Sequence, residues 1–167
     1  EARLAMEESP YNIVMCEMTF DGAPMSGQDL LDELRREQLL PYSTVFILVT
    51  GEATYSQVLE AAEATVDGYL VKPYSAVVLC EKLAEVRRRK RTLKPIYEAM
   101  QSGELARAAA LAEVRFKARE SYWTFSAQVA AELWLRADQP AQAMKIYSSV
   151  AAEKPQSWAK AGQARAR

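Results

Sequence analysis

Three short apolar runs mark the first half of the chain. Ile13-Val14-Met15-Cys16 closes on Glu17, Val45-Phe46-Ile47-Leu48-Val49 closes on Thr50, and Tyr69-Leu70-Val71 closes on Lys72-Pro73. Runs this short, rich in β-branched residues and bounded by turn residues, predict strands buried on both faces. The segments between them are amphipathic, which predicts a parallel sheet with helices packed on it. Leu30, Leu31 and Leu34, followed by Leu39, predict a helix over 28–37. Val58, Leu59 and Ala62 mark the inner side of a helix over 55–64. Val77, Val78, Leu79, Leu83 and Val86 predict a helix from residue 76 that runs on through Arg87-Arg88-Arg89-Lys90-Arg91 toward Lys94. Leu4 and Ala5 share a face of a short helix ending before Pro10, and the Gly and Pro content of 20–27 predicts a loop.

The pattern changes near Thr92. Strand signals stop, alanine dominates, and the spacing is helical to the end, which predicts an α/β domain over 1–92 and an all-α region over 93–167. The second region repeats on itself at a shift of 35 residues: Gly103-Glu104-Leu105 falls on Asp138-Gln139-Pro140, Ala108 on Ala143, Leu111 on Ile146 and Ala112 on Tyr147. In the second copy Ala131, Trp134, Ala143 and Tyr147 are the small and aromatic residues expected where antiparallel helices cross, and Pro155 is expected to end a helix. Trp158-Ala159-Lys160-Ala161-Gly162 reads as a third copy opening. The first residues read as mid-helix, and a segment preceding Glu1 is expected, as are further repeats after Arg167.

Composition narrows the chemistry. The chain has 167 residues and no histidine, which removes a Ser-His-Asp triad, a Cys-His pair and a histidine zinc site, and means that it does not itself carry phosphohistidine. Half of the residues are apolar and the net charge is −1, so a core is expected and an overall attraction for nucleic acid is not. No apolar run approaches the ~18 residues of a membrane span. Two cysteines, Cys16 and Cys80, do not make a disulfide framework and point to a reducing cytoplasm. Cys16 reads as core packing, and Trp123, Trp134 and Trp158 as helix-crossing residues rather than a ligand stripe. Arg87 to Arg91 reads as the solvated end of a helix, where positive charge suits the helix dipole, rather than a nucleic-acid patch. Gly51-Glu52-Ala53 lacks the Gly-Lys-Ser/Thr of a phosphate loop.

Open parallel sheets bind ligands at the carboxyl ends of their strands, so Glu17, Thr50 and Lys72 are expected to meet at one rim. Thr50 followed by the small Gly51, and Gly68-Tyr69-Leu70-Val71-Lys72-Pro73-Tyr74, together resemble the fourth and fifth strands of a response-regulator receiver domain of two-component signalling. Met25-Ser26-Gly27 resembles the Met-Asp-Gly that opens that family's third helix, and the second region resembles tetratricopeptide repeats. The resemblance implies a flavodoxin-like receiver whose first strands lie outside this chain. It implies Thr50 as the phosphate-sensing hydroxyl, Tyr69 as the switch aromatic, and Lys72-Pro73 joined by a cis peptide bond. The family's phosphoacceptor is an aspartate; here the position holds Glu17. Its Mg²⁺ is held by an acidic pair after the first strand, so Mg²⁺ is expected only together with that pair, with Glu17 as a contributor.

The resulting expectation is a two-component response regulator with no catalysis of its own. Glu17 either biases the receiver toward its active-like state or simply pairs with Lys72 in a degenerate receiver. Expected partners are a histidine kinase or phosphotransfer protein and a protein ligand of the repeats; a membrane or nucleic acid is not expected. The first alternative is a scaffold that does not switch. The second is a flavodoxin-like enzyme, which a flavin absorbance spectrum would reveal. A sheet that begins at residue 13 would expose a strand edge, and exposed edges pair with other chains. The 167-residue chain expressed alone is therefore expected to dimerise or aggregate; clean monomer by light scattering at moderate concentration would contradict this.

Overall fold

The computed structural model describes residues 2–22, 24–51, 66–153 and 156–166. The helix expected over 55–64, with Val58, Leu59 and Ala62, lies outside the described residues, as do Glu52, Ala53 and Pro155. The described residues form two compact units that divide between Arg91 and Thr92.

The first unit is a three-stranded parallel sheet in the order β1 (Ile13–Glu17), β2 (Val45–Thr50), β3 (Gly68–Val71). Ile13 aligns with Val45 and Glu17 with Val49, while Leu48 aligns with Tyr69 and Thr50 with Val71. Every residue of β2 is buried, because it lies between two strands and under helices on both faces. One face holds Cys16, Phe46, Leu48 and Tyr69 against Leu31 and Leu34 of helix α2 (Gly27–Arg36). The other holds Val45, Ile47, Val49 and Leu70 against Val86, Leu83 and Leu79 of helix α3 (Ala76–Thr92). Helix α1 (Ala2–Glu8) is tied to α2 through Arg3, which pairs with Glu7 at 3.1 Å, Glu33 at 3.5 Å and Glu37 at 2.9 Å.

Three expectations need correction. β1 is not buried on both faces: Ile13 and Met15 are each 38% exposed. They lie on the face that α3 covers over β2 and β3, and among the described residues they belong to no packed cluster. Val77 and Val78, read as part of an inward helical stripe, are exposed. The basic run at the end of α3 is not uniformly solvated, since Lys90 is buried one turn below Val86. The helix also stops at Thr92, and helix α4 (Lys94–Gln101) begins after the single residue Leu93.

The second unit is helical throughout its described part. Helices α4, α5 (Leu105–Lys117), α6 (Trp123–Arg136), α7 (Pro140–Glu153) and α8 (Ser157–Arg165) follow one another, each packed on the next. The close approach is made by alanine: Ala108, Ala112, Ala127, Ala130, Ala131 and Ala143 are all fully buried. The corresponding turn positions Gly103 and Asp138 both carry positive φ, 75° and 56°. Gly162 abuts the Tyr147 ring, where a Cβ would overlap the ring carbons. Trp123 stacks on Phe116 with centroids 6.1 Å apart, Trp158 meets Tyr147 edge-on at 6.0 Å, and Trp134 Nε1 donates to Glu113 at 2.9 Å.

Ser126 is the exception inside this core. Its hydroxyl is wholly buried and finds no hydrogen-bond partner among the described residues. A buried polar group left unsatisfied costs about 1–3 kcal/mol. Ser126→Ala is therefore expected to stabilise the helical unit by about 1 kcal/mol. All three tryptophans lie in this unit, so urea unfolding followed by tryptophan fluorescence reads it directly. A midpoint that falls rather than rises contradicts the assignment.

Candidate functional site

Parallel strands end on the same side of a sheet, and here those ends carry the polar residues. Glu17 is the last residue of β1 and Thr50 the last of β2, while Lys72 follows β3 directly. Lys72 N–H donates to the Thr50 carbonyl at 2.8 Å, which fixes the start of the Lys72 segment beside the end of β2. Lys72 Nζ meets Glu17 Oε1 at 2.5 Å, spanning the rim across β2. The Lys72-Pro73 peptide bond is cis.

The site residues differ in exposure. Glu17 and Lys72 are half in water, with side chains 49% and 50% exposed. Thr50 is 7% exposed and Tyr69 5%. Tyr69 is thus neither half-buried nor on the surface; its ring packs in the cluster of Phe46, Leu48 and Leu31. Cys16, one residue before the rim, is a core residue. Its thiol is pushed above its usual range by burial and by the Glu17 charge.

The start of α2 completes one wall of the site. Ser26 caps the helix: its hydroxyl accepts from Asp29 N–H at 3.1 Å, and the Asp29 carboxylate accepts from Ser26 N–H at 2.7 Å. The Ser26 hydroxyl, which also donates to the Asp29 carboxylate at 2.7 Å, and then the Ser26 N–H hold the Asp29 carboxyl below its usual range. The motif resembling Met-Asp-Gly therefore opens a helix here with serine as its cap. Gly27, the last residue of that motif, seats α2 against β1, a packing role that the sequence analysis did not assign to it. A Cβ there would overlap the Glu17 carbonyl oxygen and come within 2.7 Å of Leu48 Cδ2 and 3.2 Å of Cys16 Sγ. The readable signal was a glycine directly after a cap serine, at the start of a helix that packs on strands.

Among the described residues, no group of three His, Cys, Asp or Glu side chains is assembled that could hold a metal ion. One oxygen of Glu17 is taken by Lys72. The described residues at this rim do not by themselves fit a Mg²⁺ site. Among the described residues, no helix is long and apolar enough to cross a membrane.

A three-stranded parallel sheet with helices on both faces fits a flavodoxin-like fold of the receiver type. The family described as "Response regulator receiver domain" matches residues 1–84, and the chain belongs to that family. It is 36% identical over 81 residues to the chemotaxis protein CheY-3 of Vibrio cholerae, covering 48% of this chain and 60% of the relative. It is 45% identical over 62 residues to the chemotaxis protein CheY of Pseudomonas aeruginosa, covering 37% of this chain and 49% of the relative. The chain thus spans about half to three-fifths of the length of these curated relatives. No solved structure matches at comparable stringency.

Gly27→Ala is expected to destabilise the first unit by about 1–3 kcal/mol, since the new methyl meets backbone rather than a flexible side chain. Amide exchange in β1 and β2 should rise while the tryptophan fluorescence midpoint of the helical unit stays put. An unchanged exchange pattern in the strands would remove Gly27 from the seat of the site.

Proposed function

We propose that the chain is the regulatory part of a two-component response regulator whose receiver carries a built-in anion, Glu17, at the phosphoacceptor position. The observation that carries this reading is the Glu17–Lys72 contact at 2.5 Å beside the end of β2. In a receiver switched by phosphate, a lysine neutralises the bound phosphoryl group and a hydroxyl hydrogen-bonds to it. Here the lysine already has a carboxylate. Glutamate is one methylene longer than aspartate, so its charge reaches further over the rim toward Lys72 and the end of β2. The buried position of Tyr69 supports the same reading, because an inward aromatic accompanies the active-like arrangement.

Magnitudes limit the bias. A half-exposed ion pair contributes about 0–1 kcal/mol, which moves a two-state equilibrium by roughly fivefold at most. A carboxylate also offers one charge and two oxygens, against nearly two charges and three acceptor oxygens for a phosphoryl group. Glu17 therefore tilts the receiver rather than locking it. The half exposure of the pair also supports a second reading, a degenerate receiver in which Glu17 and Lys72 pair in every state.

The helical unit, in this proposal, is a set of tetratricopeptide-like repeats that binds a protein partner, with its access set by the receiver. The support is the 35-residue correspondence: Gly103 and Asp138 both turn with positive φ, and Ala108 and Ala143 are both fully buried. A histidine kinase or phosphotransfer protein is the proposed upstream partner, and no residue of the chain is assigned catalysis. Mg²⁺ enters only with an acidic pair supplied outside these residues.

Incubation of the full-length protein with a small phosphodonor and Mg²⁺ is expected to leave the mass at Glu17 unchanged; stoichiometric labelling there overturns the proposal. Glu17→Ala is expected to change affinity for the partner of the helical unit by up to about fivefold. Equal affinity of the variant and the native protein favours the scaffold that does not switch.

A further inference from the structure

Helix α3 is held to the sheet unequally along its length. Its last turns are fastened by charge at the amino-terminal edge of the strands. Lys90 directs its Nζ to the carbonyl oxygens of Tyr42 and Thr44, both at 2.6 Å, and to Asp67 Oδ2 at 2.9 Å. Three acceptors, one of them a carboxylate, match the three donors of a charged ammonium group. The Lys90 and Asp67 side chains are only 7% and 5% exposed. Asp67 Oδ2 also accepts from Phe46 N–H at 2.7 Å, and Asp67 N–H donates to the Phe46 carbonyl at 3.1 Å. Arg89 donates to the Asp67 backbone carbonyl and pairs with Glu85 at 3.7 Å. One turn earlier Val86 is wholly buried. The helix lies so near Gly68 that a Cβ there would come within 3.3 Å of Lys82 Cδ and 3.6 Å of Val86 Cγ2.

The first turns are held differently. From Ala76 to Glu81 every residue except Leu79 is exposed, with Val77 at 66% and Val78 at 47%. The bonds at this end are local: Val78 N–H donates to the Ser75 hydroxyl at 3.3 Å, and Leu79 N–H to the Ser75 carbonyl at 3.1 Å. We propose that α3 is a lever pinned at its carboxyl end, where the charged Lys90 is the pin, and that it opens locally from its amino-terminal end beside the rim. A helix packed evenly along its length frays at both ends. Here the two ends differ in what opening costs. Drawing Lys90 from its seat strips the buried Asp67 carboxylate of its ammonium and two carbonyls of their donor. Lifting the first turns brings out little apolar surface that is not already in water. The free end begins just after Lys72-Pro73, so it is the part of α3 that a rearrangement at the rim meets first. The pin stands where the chain leaves the first unit, since Leu93 is already in the core of the second. The lever is independent of the reading of Glu17.

The test follows amide exchange along α3 by NMR in the 167-residue chain, with each rate taken relative to that of the unfolded sequence. Amides 87–91 are expected to be at least about tenfold more protected than amides 80–84 of the same helix. Lys90→Met keeps a side chain of similar length without the charge. It is expected to lower protection at 87–91 by about tenfold or more and so to abolish the difference between the two sets. Equal protection of the two sets in the native chain, or greater protection at 80–84, overturns the lever. A folded Lys90→Met variant that keeps the difference overturns Lys90 as the pin. If Lys90→Met does not fold, the native comparison decides alone.

Discussion

The parallel pairing of three strands around a wholly buried β2 is the constraint from which the first unit follows. β2 is sandwiched between β1 and β3 in the sheet and between α2 and α3 across it. Parallel strands point one way, so every strand end of one kind falls on one side. Glu17, Thr50 and Lys72 are widely separated in sequence, yet they need no long-range folding of loops to come near one another. The backbone bond from Lys72 to the Thr50 carbonyl extends the ladder by one residue past β3 and sets the lysine at the rim.

The two ends of this sheet carry ionic contacts of opposite character. At the carboxyl rim, Glu17 and Lys72 meet half in water, where screening keeps the interaction small and reversible. At the amino-terminal edge, Lys90 and Asp67 are buried, and their charges are tolerated only because backbone carbonyls and an N–H complete their hydrogen bonds. The exposed pair can separate at little cost. The buried one suits an anchor, since removing either member would leave a buried charge uncompensated.

The helical unit reaches close packing by a different route. Small side chains let helix axes approach, and the resulting gaps are closed by a few large ones, as where Tyr147 lies over Gly162 and beside Trp158. Alanine also favours the helix intrinsically, so local preference and tertiary packing agree there. The first unit relies less on local preference and more on strand pairing across distant segments.

Periodicity made the strands and most helices of the first unit legible, because a run such as Val45 to Val49 has few other ways to be buried. The residues that end those runs were legible for the same reason, as was the helical character of the second region. Burial was less legible, since it belongs to neighbours rather than to the residue itself. Ile13 and Met15 have the composition of a core strand, yet they are partly open because burial on that face requires a packed layer above it. Lys90 stood in a run of five basic residues and read as solvated; its spacing of four from Val86 was the available sign that it shares the inward face. The chain alone determined which segments become strands and helices, because backbone propensity and side-chain spacing are local. Which charges pair, which lie in water and which are buried was decided only by the tertiary structure, because electrostatic and solvation energies depend on distances between segments that no local pattern specifies.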